Sequence, residues 1–215
     1  MNSPENKTGC RLYLITPQVF DPEAFCRPLA EALDAGDIAA VQLRLKNTTD
    51  TSIIKAAQTI LPLCRKRNIP LLINDRPDLA QEIGCDGAHI GQKDTSYADA
   101  RKTLDQNCIV GVTCHNSRHL AIEAAEKGAD YVAFGAFFPT TTKTANFSAN
   151  TDILKWWSDL MVVPCVAIGG ITPENCNSLV RSGADFLAVV SAIWDHPDGP
   201  GPAVCAFNEA IRDAS

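Results

Sequence analysis

The chain has 215 residues, of which 46% are apolar, a formal charge of −6 and a pI near 5.2. That apolar content excludes disorder as a global state. The acidic balance argues against nucleic acid and anionic membranes as partners, so any phosphate must be met by locally basic groups.

No segment approaches the ~18 apolar residues of a membrane span. Residues 1–9 are polar, lack an apolar signal-peptide core and read as a flexible tail, leaving 10–215 as one domain. The nine cysteines are odd in number and follow no CxxC spacing, which suits reduced thiols in a cytoplasm. Cys114 and His115 are adjacent, and neighbours on a strand point to opposite faces, so they do not make a metal pair.

From Arg11 onward, short apolar runs alternate with helical patterns. The first run is Arg11–Thr16, and Phe25, Leu29, Ala32 and Leu33 then keep helical spacing. The second run, Ala40–Leu45, carries Gln42, Arg44 and Lys46 at alternating positions, which points all three to one side. Arg and Lys together suit a diphosphate, the first as a fork and the second as a point charge; a salt-bridged strand end is the alternative. Ile53, Ala57, Ile60 and Leu61 mark the next helix, and Pro70–Asn74 the third strand.

Asp75 follows that strand, where it reads as a helix N-cap or as a ligand. A short fourth run, Gly87–Ile90, precedes Asp94. Two carboxylates from neighbouring strand ends can hold one Mg²⁺ that a diphosphate also ligates. His89 lies inside the fourth run and reads as a neutral, hydrogen-bonded histidine. Ile109–Thr113 is the fifth run, and Asn116 is placed to cap the helix carrying Leu120, Ala124 and Ala125.

The sixth run, Tyr131–Ala136, leads into the longest non-periodic stretch, Phe138–Asn150, a length typical of active-site loops. Thr140, Thr141, Thr142 and Lys143 there supply hydroxyls and a cation. The seventh run, Val163–Gly169, ends in Gly169 and Gly170, which permit close backbone approach to a phosphate. Thr172 and Pro173 start a helix that Gly183 follows, and the eighth run, Phe186–Ile193, contains Val190 and Ser191 near its end. Eight βα units in one domain point to an α/β (βα)₈ TIM barrel, and the absence of GxGxxG after the first strand disfavours an open doubly wound sheet. In such a barrel all four clusters fall at the C-terminal ends of strands, where active sites lie.

The ordered motifs are Val41-Gln42-Leu43-Arg44-Leu45-Lys46, Ile73-Asn74-Asp75-Arg76, the stretch from Asp86 through His89 to Asp94, Phe138-Pro139-Thr140-Thr141-Thr142-Lys143, Ala167-Ile168-Gly169-Gly170-Ile171 and Val189-Val190-Ser191-Ala192-Ile193. From about Arg11 to Ile193 the chain resembles the thiamine-phosphate synthases. The resemblance implies a transferase of thiamine biosynthesis that joins hydroxymethylpyrimidine diphosphate to a thiazole phosphate. It also implies that Gln42, Arg44, Lys46, Asn74 and Lys143 hold the pyrimidine diphosphate, with Leu43, Leu45 and Thr141 counted among the substrate-binding residues. Asp75 and Asp94 would bind Mg²⁺, and Thr140 and Thr142 would contact the thiazole. Gly170, Val190 and Ser191 would grip its phosphate, and Thr113 keeps a hydroxyl where the family often has serine. Arg44, Lys46, Lys143 and Thr113 are the implied catalytic groups.

Leu45, Ala136 and the segment Thr144–Asp152 depart from the family's usual residues. Two alternatives share the fold: the thiazole tautomerases, which need no magnesium diphosphate site, and a non-catalytic barrel that binds thiazole or thiamine phosphate. The implied partners are small molecules, with a homo-oligomer as a further possibility.

Overall fold

The computed structural model describes residues 9–140 and 148–215. The first half runs β1 (Arg11–Ile15), α1 (Pro22–Asp34), β2 (Ile38–Leu43), α2 (Asp50–Arg65), β3 (Leu71–Asn74), α3 (Pro77–Ile83), β4 (Gly87–Ile90) and α4 (Tyr97–Thr103). The second half runs β5 (Ile109–His115), α5 (Arg118–Glu126), β6 (Tyr131–Gly135), α6 (Asp152–Leu160), β7 (Cys165–Ile168), α7 (Asn177–Arg181), β8 (Phe186–Val189), α8 (Ser191–Trp194) and α9 (Pro200–Ala214). All strand pairs are parallel and β8 returns to β1, so the eight strands close into the expected (βα)₈ barrel.

Strand alternation divides the core in two. Leu12, Leu14, Val41 and Leu43 face outward into the large cluster shared with the helices. Tyr13, Ile15, Ala40, Leu72, Tyr131, Ala133, Val166 and Ala188 fill the barrel interior. The lower rim is stitched by a repeated device: Asp86, Asp130 and Asp185, each just before an even strand, accept from the backbone N–H of Leu71, Val110 and Cys165 at 2.8, 2.7 and 2.8 Å. Each such carboxylate satisfies a donor at the very start of the preceding strand.

Several boundaries differ from the sequence expectation. β2 ends at Leu43, so Arg44 and Lys46 lie beyond it. The amide of Arg44 leaves the ladder because it donates to the buried Thr16 hydroxyl at 3.0 Å. β5 extends to His115 through a bulge between Thr113 and His115. β8 stops at Val189, and Ser191 opens the short α8 instead of continuing the strand. The cap of α5 is Ser117, whose Oγ accepts from the Leu120 amide at 3.2 Å, in place of Asn116. The α7 helix begins at Asn177; the residues after Thr172 form turns, because Asn175 Oδ1 accepts from the Thr172 amide. Residues 1–8 of the expected tail lie outside the described residues.

Candidate active site

The upper rim is built from the inner faces of the strand ends. On β2, Gln42 sits on the inner face with Ala40; it is 3% exposed and its side chain makes no hydrogen bond among the described residues. Leu43 is the correction here: it belongs to the outer cluster and is 1% exposed, so its side chain faces the helices and not the pocket. Leu45 packs on the same outer cluster, against its expected place beside substrate.

Arg44 is half-buried, and no hydrogen bond or ion pair to its guanidinium occurs among the described residues. Burial pushes its pKa down, while the charge of Asp75 opposes the shift. A half-buried guanidinium with no hydrogen-bond partner among the described residues is a group prepared for an anion. Lys46 meets Asp75 directly, its Nζ donating to Asp75 Oδ2.

Asp75 does not cap α3, since that position is held by Arg76 without any side-chain cap. Its φ of 64° is left-handed, which short polar side chains such as Asp tolerate best. Its amide donates to the His89 carbonyl at 2.8 Å, and this anchors the turn on β4. Arg76 is occupied elsewhere, forking onto Asp50 and Asp78.

Asp94 reaches back from the β4 loop, accepting from the Gly91 amide at 3.1 Å. Its pKa is raised, first by burial and then by the hydrogen bond and charge of Asp75. The two expected metal carboxylates therefore lie near enough for the charge of Asp75 to act on Asp94. Two mutually repelling carboxylates on one rim fit a hard cation whose remaining ligands are phosphate oxygens. No group of three or more His, Cys, Asp or Glu among the described residues could form a protein-only metal cage.

Thr113 lies on the inner face of β5, half-buried, with its Oγ1 2.7 Å from His89 Nε2. His89 Nδ1 lies 2.8 Å from the Tyr131 hydroxyl, which lies 2.9 Å from that of Tyr13. The expectation of a hydrogen-bonded histidine is met, but the two tyrosines behind it were not foreseen. Alternation along Tyr131, Ala133 and Gly135 was the available signal that Tyr131 faces inward.

On the far side of the rim, Gly169 and Gly170 have φ of 106° and 62°. A Cβ on Gly170 would fall 2.2 Å from the Pro139 carbonyl oxygen and 2.9 Å from Phe138 Cβ. The glycine is thus required by packing against the β6 loop, a reason the phosphate reading had not included. Val190 is half-buried against the inner cluster, and Ser191 is exposed at the start of α8. Asn74 ends β3, half-buried and level with His89. Thr140 is half-buried; Thr141, Thr142 and Lys143 lie outside the described residues.

A recess also opens at the lower rim, beneath β3–β5, but its polar groups are engaged with one another: Gln81 with Asp105, and Asp86 with the Leu71 amide. The chemistry therefore belongs to the upper rim.

A closed parallel barrel bearing a cationic group, paired carboxylates and a glycine turn on its C-terminal rim is of the class of TIM-barrel enzymes that act on phosphorylated small molecules. The profile of the family described as "Thiamine monophosphate synthase" matches residues 12–193, and the chain belongs to that family. It is 58% identical over 205 residues to a thiamine-phosphate synthase of Rhodospirillum centenum, covering 95% of this chain and 99% of that one. It is 48% identical over 203 residues to the thiamine-phosphate synthase of Hyphomonas neptunium, covering 92% of each. The solved structure of a thiamine phosphate pyrophosphorylase from Pyrococcus furiosus superposes with a TM-score of 0.83 at 28% identity, covering 97% of this chain and 98% of that one.

Proposed function

We propose that this protein is a magnesium-dependent thiamine-phosphate synthase, transferring the pyrimidine methylene of hydroxymethylpyrimidine diphosphate to the nitrogen of a thiazole phosphate and releasing pyrophosphate. The observation that carries this reading is the meeting of Asp75 and Asp94 beside Lys46 and Arg44, whose guanidinium has no hydrogen-bond partner among the described residues. A diphosphate-leaving reaction needs positive charge where the leaving group departs; Arg44 and Lys46 supply part of it, and a cation between the two carboxylates would supply the rest. The synthase names of similar relatives support this reading, and the Asp75–Asp94 pair favours it over a tautomerase, which needs no diphosphate site.

The residues divide the work. Arg44 and Lys46 hold the diphosphate and stabilise charge as it develops on the departing oxygen. Asn74 and Gln42 present amides to the pyrimidine end from the inner strand faces. Thr113 offers a hydroxyl at the same level. Gly170, Val190 and Ser191 on the far rim receive the thiazole phosphate, and Lys143 adds a cation over the pocket. Mg²⁺, held between Asp75 and Asp94, would supply charge neutralisation to the leaving group. Bond cleavage leaves the pyrimidine methylene electron-poor, and the thiazole nitrogen lone pair closes the new C–N bond.

The deciding experiment incubates purified protein with both substrates and Mg²⁺, then with EDTA. Thiamine phosphate and pyrophosphate should appear in equal amounts and stop with EDTA. No product above background from folded protein rejects the synthase reading; product that persists in EDTA rejects the metal assignment.

A further inference from the structure

The barrel interior holds a polar chain that the proposed chemistry does not itself explain. Tyr13 and Tyr131 are both buried, at 3% and 6% exposure, among Ile15, Leu72, Val166 and the alanines of the inner cluster. Their rings pack edge to face with centroids 5.9 Å apart, and Tyr131 stacks on His89 at 5.6 Å with 18° between planes. The neighbouring strand, β5, is cut away beside Tyr131 to admit this. A Cβ on Gly111 would lie 1.9 Å from Tyr131 Cζ and 2.3 Å from its hydroxyl oxygen. Hydroxyl, hydroxyl, imidazole and hydroxyl then run in sequence from Tyr13 through Tyr131 and His89 to Thr113, at 2.9, 2.8 and 2.7 Å. The chain begins in the dry interior and ends at the pocket.

The direction of its hydrogens follows from counting donors. Each tyrosine has one O–H, and a neutral imidazole has one N–H and one acceptor nitrogen. Suppose Thr113 donated to Nε2. Nδ1–H would then donate to Tyr131, Tyr131 would donate to Tyr13, and the Tyr13 O–H would need a further acceptor. Among the described residues Tyr13 has no other hydroxyl contact, so a buried donor would be orphaned. Run the other way, Tyr13 donates to Tyr131, Tyr131 donates to Nδ1, and Nε2–H donates to Thr113. Every buried hydrogen is then used, and only a lone pair on Tyr13 is left over, which is the cheaper deficit. The Thr113 hydrogen is thereby excluded from the interior and turned to the pocket.

We propose that Tyr13, Tyr131 and His89 form a one-way hydrogen-bond chain that fixes the Thr113 hydroxyl as a donor into the active site, making His89 and Tyr131 positioning residues for the transfer reaction. The acceptor is an oxyanion of the substrate, and this part rests on the function proposed above. The advantage over a free threonine is preorganisation: a hydroxyl whose rotor is already set pays no reorientation when charge develops. The β-bulge after Thr113 supports the same purpose, because it ends the regular ladder just where the side chain must be aimed.

Two measurements test it. Nitrogen NMR of the substrate-free protein, with His89 assigned by removing His115, His119 and His196 in turn, should find the proton on Nε2 and none on Nδ1. A proton on Nδ1 overturns the proposal whether or not the protein is a synthase. In kinetics, Tyr131→Phe should lower kcat about tenfold, the scale of one net hydrogen bond, with KM for thiazole phosphate held. Thr113→Val should lower kcat on the order of 10²-fold, as for loss of one oriented donor, and Thr113→Ser should restore most of it. The double variant should be no slower than Thr113→Val alone, since the chain acts only through that hydroxyl. Effects that multiply instead would show a merely structural role and overturn it. If Tyr131→Phe does not fold, the NMR result on the unaltered protein decides; if the unaltered protein has no synthase activity, the function fails and the NMR result still judges the chain.

Discussion

The ammonium of Lys46 rests on the carboxylate of Asp75, joining the loop beyond β2 to the end of β3. The group assigned to the diphosphate and one assigned to the metal are thus partners before either ligand arrives. Lys46 also offsets the repulsion between Asp75 and Asp94, lowering the pKa that Asp75 raises.

Removing that lysine should therefore split the two ligands. Lys46→Met leaves two adjacent carboxylates with less local positive charge, so Mg²⁺ should bind several-fold tighter. Pyrophosphate loses a charge-assisted hydrogen bond and should bind on the order of tenfold more weakly. Calorimetry with each ligand alone checks this; both affinities moving the same way would contradict the arrangement.

Asp75 and Asp94 should also respond differently to substitution. Asp75 holds a left-handed backbone, which Asn accepts and Ala does not. Asp75→Asn should keep the melting temperature and lose Mg²⁺ dependence, whereas Asp75→Ala should lower stability by about 1 kcal/mol as well. Asp94→Asn keeps an acceptor for the Gly91 amide and should change only metal response and kcat. Thermal melts with and without Mg²⁺, followed by activity titrations, separate these outcomes.

The sequence made the barrel legible because eight short apolar runs, each bounded by helical periodicity, leave little choice of fold. It made the rim legible because Gln42, Arg44, Lys46, Asp75, Asp94 and the glycine pair all fall where strands end. Three things stayed hidden, each for a physical reason. Alternation puts Leu43 and Leu45 on the face opposite Gln42, but the family resemblance counts them with the substrate groups, and their packing on the helices decides for the alternation. The strand-like alternation of Arg44 and Lys46 continues past the ladder because Thr16, from another strand, takes the Arg44 amide. The tyrosine–histidine chain joins residues 118 and 42 positions apart, and no local pattern records such contacts.

Gly170 gives a prediction that the sequence alone would have framed differently. A side chain there meets the Pro139 carbonyl and Phe138 before it meets any ligand, and its φ of 62° is costly for other residues. Gly170→Ala should therefore lower stability by about 1–2 kcal/mol from the backbone alone, with the contact adding to it. Gly170→Val should disturb the β6 loop broadly and weaken both substrates together. A loss confined to thiazole phosphate, with an unchanged melting temperature, would show that the glycine serves the phosphate and not the packing.

The thiols give a pH dependence whose sign can be worked out. All nine cysteines are free of disulfides. Burial raises Cys64, Cys85 and Cys114 from the ordinary 9.0 to about 12, with Asp86 adding to the first two. A raised acid pKa means that the folded protein keeps protons that the unfolded chain releases. The contribution is complete below pH 9 and is lost as pH climbs from about 9 toward 12. Urea midpoints should hold between pH 8 and about 9 and fall from there to pH 11. In the native protein at pH 8, a thiol reagent should label exposed Cys205 readily and spare Cys64, Cys85 and Cys114 until denaturant is added. Rapid labelling of Cys114 in the folded state would mean that β5 opens locally beside Thr113, and the fixed geometry assigned to that strand would then be wrong.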